Sequence, residues 1–253
     1  MSKRIGIGLA FACALLFCQR VAAQGAEVHV LVSNGIKAVV EDLRPQIEHA
    51  IGHPLALEYK PTSALQKEIE AGAQFDAVIV TAESIGQMSK EGKTLGGEGT
   101  PISRVGVGIG IPKGAARPDV STPDAVKRAM LNAKAVAYGP SGASYPYIIK
   151  MFEALGITDA MKAKTVFFDN SDGTNGALAD GKVDFGFTLV SEILPFKGIE
   201  LLAPFPPQFQ GYVRFAGAVS ANAKNPEAAA AMIKVLAGPD ALASIKARGM
   251  EPH

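Results

Sequence analysis

Short apolar, β-branched runs alternate along the chain with stretches of helical period. The runs predict strands at Val28–Val32, Leu55–Tyr59, Ala77–Val80, Val105–Ile111, Ala135–Tyr138, Thr165–Phe168, Val183–Phe187, Glu200–Ala203 and Val213–Val219. Helices are predicted between most of them, at 36–50, 63–71, 84–91, 123–132, 146–155, 174–180, 226–237 and 240–248. Strands and helices in this alternation define an α/β fold class built on parallel strands.

Two segments interrupt the pattern. Gly96-Gly97-Glu98-Gly99 leads into a strand whose glycines, Gly106, Gly108 and Gly110, strip one face of side chains. Such a strand bends or meets a close neighbour. The second break is the proline-bearing passage Leu194-Pro195-Phe196 to Pro206-Pro207. A chain that crosses to a second lobe near the first break and returns near the second has one lobe at 24–105 plus 195–253, and the other at 106–194.

The candidate chemistry sits where strands give way to helices. Ser33-Asn34-Gly35, with Lys37 in the first helical turn, follows the first strand, and Thr62-Ser63 precedes a helix with Ser63 and Gln66 spaced as a capping box. Ser141-Gly142-Ala143-Ser144, the turn holding Gly173 and Thr174, and Thr188 with Ser191 follow predicted strands of the second lobe. Helix N-termini offer unpaired N–H groups and the positive end of the helix dipole, a setting for anions. Each such turn taken singly reads first as a plain N-cap. Their distribution over both lobes, beyond the carboxyl ends of strands, is what an interlobe ligand cleft requires.

The N-terminus changes the compartment. Lys3 and Arg4, an apolar run from Ile5 to Phe17, and Val21-Ala22-Ala23 have the form of a cleaved secretory signal peptide over 1–23. The run is short for a membrane span. Both cysteines, Cys13 and Cys18, fall inside it, so the mature chain has no disulfide or thiolate chemistry. Loss of Lys3, Arg4 and Arg20 from 25 basic residues leaves a near-neutral balance against 24 acidic ones. Such a balance gives no electrostatic footprint for nucleic acid or an anionic membrane.

Other motifs fail. Ala143 stands where a nucleophile elbow needs glycine. His49 and His53 are spaced like a metal pair, but Gly52 and Pro54 end the helix and no third ligand follows, so no metal and no cofactor are expected. The alternating glycines do not spell a dinucleotide fingerprint.

The segments "VHVLVSNGIKAVVEDL", "IEAGAQFDAVIVTA", "GPSGASYPY", "GKVDFGFTLVSE" and "NPEAAAAMIKVLAGPDA" together resemble the periplasmic molybdate-binding type of solute-binding protein over essentially the whole mature chain. The resemblance implies a two-lobed fold closing on a small anion, a monomer and an ABC transporter partner. It assigns the oxyanion-binding serine to Ser63, a backbone-donor turn to Ser141 and another to the region of Gly173. Gly35 and Leu189 depart from it, standing where that pattern has a serine and a tyrosine. The departures shift the expected ligand toward an organic carboxylate, with Lys37 and Arg214 as candidate cations. Aconitate isomerases are similar to the same binding proteins and imply the alternative, cofactor-free isomerisation of a tricarboxylate. Candidate proton-transfer groups are then Glu83, Asp169, Asp172, Glu192, Tyr145 and Tyr147.

Overall fold

The computed structural model describes residues 26–253. The signal-peptide expectation for 1–23 therefore lies outside the described residues. Ten strands form one continuous sheet: β1 (Val28–Ser33), β2 (Leu55–Lys60), β3 (Ala77–Thr81), β4 (Thr100–Pro112), β5 (Val136–Tyr138), β6 (Thr165–Phe167), β7 (Phe185–Leu189), β8 (Ile199–Pro204), β9 (Tyr212–Val219) and β10 (Glu251–Pro252). The helices are α1 (Lys37–Ile51), α2 (Thr62–Glu70), α3 (Ala82–Lys90), α4 (Pro123–Asn132), α5 (Tyr145–Ala154), α6 (Thr158–Lys162), α7 (Ser171–Ala179), α8 (Val190–Ile193), α9 (Pro226–Leu236) and α10 (Leu242–Ala247). All nine predicted strands are present. The short α6, α8 and β10 are additions that the periodicity did not mark.

The sheet has two halves of similar design. In the first, β2, β1 and β3 run parallel and β9 pairs antiparallel with β3. In the second, β6, β5 and β7 run parallel and β4 pairs antiparallel with β7. The long strand β4 belongs to both. Its residues up to Gly106 pair with β9, and those from Val107 onward pair with β7 and β8. Strand β8 thus lies in the second half although sequence placed the return crossing before it, near 195. The chain crosses back between β8 and β9, over 205–211.

The glycines of β4 are explained by what packs on them. A Cβ at Gly108 would lie 2.9 Å from Ile193 Cδ1 and 2.8 Å from Leu201 Cδ1, and one at Gly110 would lie 2.9 Å from Leu178. Side chains of α7, α8 and β8 therefore rest directly on the strand backbone. At Gly106 the neighbour is the Gln210 amide, whose Oε1 accepts from Val107 N at 2.9 Å and whose Nε2 donates to Val107 O at 3.1 Å. This side chain satisfies the strand's main chain where the two halves part.

Helix α1 buries Val39, Val40, Leu43 and Ile47 and stops at Gly52, whose φ of 71° is the left-handed C-cap conformation. Asp76, 3 % exposed, ties the first half together. Its carboxylate accepts from the backbone N–H of His29 at 2.9 Å, Lys224 at 2.6 Å and Asn225 at 2.8 Å. Burial pushes this carboxyl up, yet those bonds outweigh it and hold it below the ordinary carboxylate value.

Candidate functional site: a chamber between the lobes

The carboxyl ends of β1, β2, β5, β6 and β7 converge on one small chamber of 30 Å³. It is lined by Ser33, Asn34 and Gly35 after β1, by Pro61 and Thr62 after β2, and by Gly139, Gly142, Ala143 and Ser144 after β5. Asn170 and Ser171 after β6, and Thr188, Leu189 and Glu192 at the end of β7, complete it. An adjoining pocket of 290 Å³ shares Asn34, Ser171 and Glu192 with the chamber and adds Lys37, Glu41, Asp172, Ser191 and Phe196.

The lobes touch across this space. Ser191 Oγ donates to the Gly35 carbonyl at 2.6 Å, and Ser63 Oγ donates to the Ser141 carbonyl at 3.1 Å. Tyr147 donates its hydroxyl to the Tyr212 carbonyl at 3.2 Å.

Capping distinguishes two hydroxyl-bearing turns at the chamber from two away from it, although Asn170, which also lines the chamber, caps α7. Thr81 and Thr122 accept from the N–H three residues on, at 3.4 and 3.2 Å, and so cap α3 and α4 in the ordinary way. Neither lines the chamber. At the chamber, α2 follows Pro61 with no side-chain cap, so the capping box expected of Ser63 and Gln66 does not form. Ser144, before α5, makes no cap bond, and neither does Ser33 before the single turn Asn34–Ile36. Ser33 instead accepts from the Thr62 hydroxyl at 3.0 Å. Ser33 and Ser144 are buried, as is Thr188, whose hydroxyl oxygen has no hydrogen-bond partner among the described residues. A buried, unpaired hydroxyl is costly, and Thr188 is a lining residue of the chamber.

Gly173 and Thr174 stand apart from the chamber. Helix α7 begins at Ser171 with Asn170 as its N-cap, earlier than periodicity placed it, so the Gly173 N–H is spent on Asn170 Oδ1 at 2.9 Å. The Thr174 hydroxyl donates to the Asn170 carbonyl at 3.3 Å. Asn170 and Ser171 take their place at the chamber, and Asn170-x-x-Gly173 was the legible cap signal. Ser63 and Ser141 face each other through their hydrogen bond at the rim, with Ser141 exposed.

Arg214 is paired with Glu83 at 2.8 Å in a separate depression, so it brings no free charge to the chamber. Lys37 has the face of Tyr59 5.3 Å from its Nζ and lines the outer pocket. Beside Gly35, a Cβ would meet Leu189 Cδ1 and Phe215 Cζ, each at 2.6 Å. Of these, Leu189 also lines the chamber and gives it carbon surface, while its other residues offer hydroxyls and backbone N–H groups.

Glu192 is the acidic residue of the chamber. Its Oε2 accepts from Leu189 N at 3.0 Å, and among the described residues it forms no ion pair. Burial pushes its carboxyl up to about 7, against the Leu189 N–H and the Ser171 hydroxyl, which favour the anion, and with Asp172 adding to the rise.

Two α/β lobes sharing a strand, with buried hydroxyls and strand-to-helix turns of both lobes lining one chamber, define a solute-binding fold. The chain matches the family model of bacterial extracellular solute-binding proteins over residues 28–251 and belongs to that family. It is 27 % identical to the molybdate-binding protein ModA of Azotobacter vinelandii over 255 residues, covering 95 % of each chain. It is 26 % identical to an aconitate isomerase of a Pseudomonas species over 229 residues, covering 88 % of this chain and 87 % of the relative. The solved periplasmic molybdate-binding protein of Azotobacter vinelandii superposes with a TM-score of 0.71 at 19 % identity, over 88 % of this chain and 98 % of that one, a likeness of fold.

Proposed function

We propose that the chamber captures a small anion in the periplasm and that the protein hands it to an ABC transporter, with an organic carboxylate favoured over a molybdate-like oxyanion. The observation that carries this reading is the missing caps. Thr81 and Thr122 spend their hydroxyls on their own helices, whereas Ser33 and Ser144 keep theirs for the chamber. With no Lys or Arg among the described residues that line the chamber, oriented N–H and O–H dipoles supply the positive potential.

The carboxylate preference rests on the carbon surface that Leu189 and Ala143 give the chamber, which suits a ligand with a carbon skeleton. The outer pocket gives such a skeleton room to extend, with Lys37 at its side. Thermal-shift screening of inorganic oxyanions and of di- and tricarboxylates tests the reading, because a ligand that binds only the folded state raises Tm. A rise with tricarboxylates and none with molybdate is expected. No rise with any anion would sink it.

A second reading, isomerisation of aconitate in the same cleft, is favoured by the Glu192 carboxyl in the chamber and by the similarity to the Pseudomonas enzyme. A transport protein has no use for a proton-transfer group at its ligand. Incubation with trans-aconitate, followed for the cis isomer, separates the two: tight binding without turnover leaves transport alone.

A further inference from the structure

Glu192 is an acid set among groups arranged for an anion. It borders both the chamber and the outer pocket, and no Lys or Arg is among the described residues that line the chamber. What holds it in place is neutral. The Leu189 N–H donates to one carboxyl oxygen at 3.0 Å, and the Asn175 amide, on a residue 1 % exposed, donates to the Glu192 main-chain carbonyl at 2.9 Å. Ser33, Ser144 and Thr188 line the same space.

The elements packed around α8 bring no cation to balance this carboxyl. Strand β4 from Gly106 onward, β7 and the turn Asn34–Ile36 carry no charged side chain. Glu200 on β8 is paired with Arg117, and Arg248, next to the Gly249 that packs on Val190, is paired with Asp42. Asp172 of α7 and Lys37 and Glu41 of α1 border the outer pocket. Among the described residues Lys37 forms no ion pair with Glu192, its Nζ lying over the Tyr59 ring, and Asp172 adds charge of the same sign. An anion entering the chamber therefore comes up beside a second negative group in a small, partly dry space. Like charges so placed cannot both stay ionised, and a proton must join them.

We infer that Glu192 meets the anion as a neutral carboxyl and donates its O–H to a ligand oxygen, so that each capture takes up one proton. The inference deepens the carboxylate reading of the site and rests on it. The proton comes from water when the anion enters and returns to water when it leaves. No bond to carbon is made or broken, so this is a hydrogen bond that serves binding alone. A repelling group becomes a donor, and an O–H bonded to an anionic oxygen is among the stronger hydrogen bonds. Carboxylate oxygens are more basic than those of sulfate and gain more from the shared proton, which makes Glu192 a determinant of specificity as well. Burial already pushes the free carboxyl up to about 7, so the proton is taken readily near neutrality. Above that value the free protein has lost it, and affinity should fall as pH rises.

The test is calorimetric titration of the full mature chain with propane-1,2,3-tricarboxylate at about pH 8 and about pH 9, where this ligand is fully ionised, in buffers of differing ionisation enthalpy. Those buffers report the protons taken up on binding. Wild type should take up about one proton per ligand, and its affinity should fall about tenfold between the two pH values. Glu192→Gln keeps a donor that does not titrate, so it should bind with no proton uptake and with about the same affinity at both. Binding by wild type without proton uptake overturns the inference and leaves the carboxylate reading intact, a result that needs no variant to fold. A wild-type pH slope retained in Glu192→Gln overturns it equally. No heat and no thermal shift with the tricarboxylate at about pH 6, where the carboxyl is protonated, overturns the underlying carboxylate reading instead.

Discussion

The Thr62 hydroxyl donates to the Ser33 hydroxyl at 3.0 Å, joining the ends of β2 and β1 at the chamber wall. Because Ser33 accepts this bond, its own proton remains for a ligand. Ser33→Ala should weaken anion binding by roughly 5- to 30-fold, about 1–2 kcal/mol. Thr62→Val should cost less alone and little more in the double variant, since both act through the same proton. Isothermal titration of the three variants gives the coupling.

Thr188 should show opposite signs in two assays. Its buried hydroxyl has no partner among the described residues, so Thr188→Val should raise the stability of the free protein by about 1 kcal/mol. The same change should weaken ligand binding. Urea denaturation without ligand and titration with it read the two effects separately.

At Glu192 the carboxyl value is raised in the folded chain, so the fold retains a proton that the unfolded chain has lost between about pH 4.5 and 7. Stability from this group therefore falls as pH rises through that window, and the penalty is complete above it. Glu192→Gln should be more stable than wild type at pH 8 by about 1–3 kcal/mol, with partial exposure favouring the lower figure. The difference should close by pH 4 in urea melts.

Asp76 has the contrary sign. Its carboxyl is held below the ordinary value of 3.8, so its contribution is full above that pH and is lost as pH falls through the depressed value. Asp76→Ala leaves the N–H groups of His29, Lys224 and Asn225 without this acceptor and should cost about 3 kcal/mol at pH 7. Denaturation at pH 7 and pH 3 should show wild type approaching the variant in acid.

Gly35→Ala places a methyl 2.6 Å from both Leu189 and Phe215. Overpacking of this kind should cost about 1–3 kcal/mol. Leu189→Ala in the same chain should recover part of it, which calorimetric Tm values would show.

The alternation of strand and helix and the turns after the strands were legible because both follow from local period and composition. Relations across the chain were not. Nothing near Asp76 announces that its carboxylate will bind backbone at 29, 224 and 225, although the surrounding "QFDAVIV" was among the segments carrying the family resemblance. Gln210 reads as one polar residue in a proline-rich passage, and only the pairing of Gly106 and Val107 with different strands gives it a task. Arg214 looked like a cleft cation because charge is visible in sequence and its partner Glu83, 131 residues away, is not. Glu192 was one acid among several, since burial, which singles it out, arises only when α7, α8 and the first lobe meet.

The strand common to both halves bears on how long a ligand stays. At the changeover Gln210 satisfies the main chain of β4, so the strand passes from one half to the other with its Val107 N–H and carbonyl paired. Beside the buried apolar packing of Ile36, Leu189 and Phe215, the Ser191–Gly35, Ser63–Ser141 and Tyr147–Tyr212 contacts at the lip are single hydrogen bonds of net worth near 1 kcal/mol each. So light a latch makes the cargo its own timer: residence is governed by how firmly the anion itself grips the two jaws, and a poorly matched solute leaves before the shut form has lasted long enough to be acted upon.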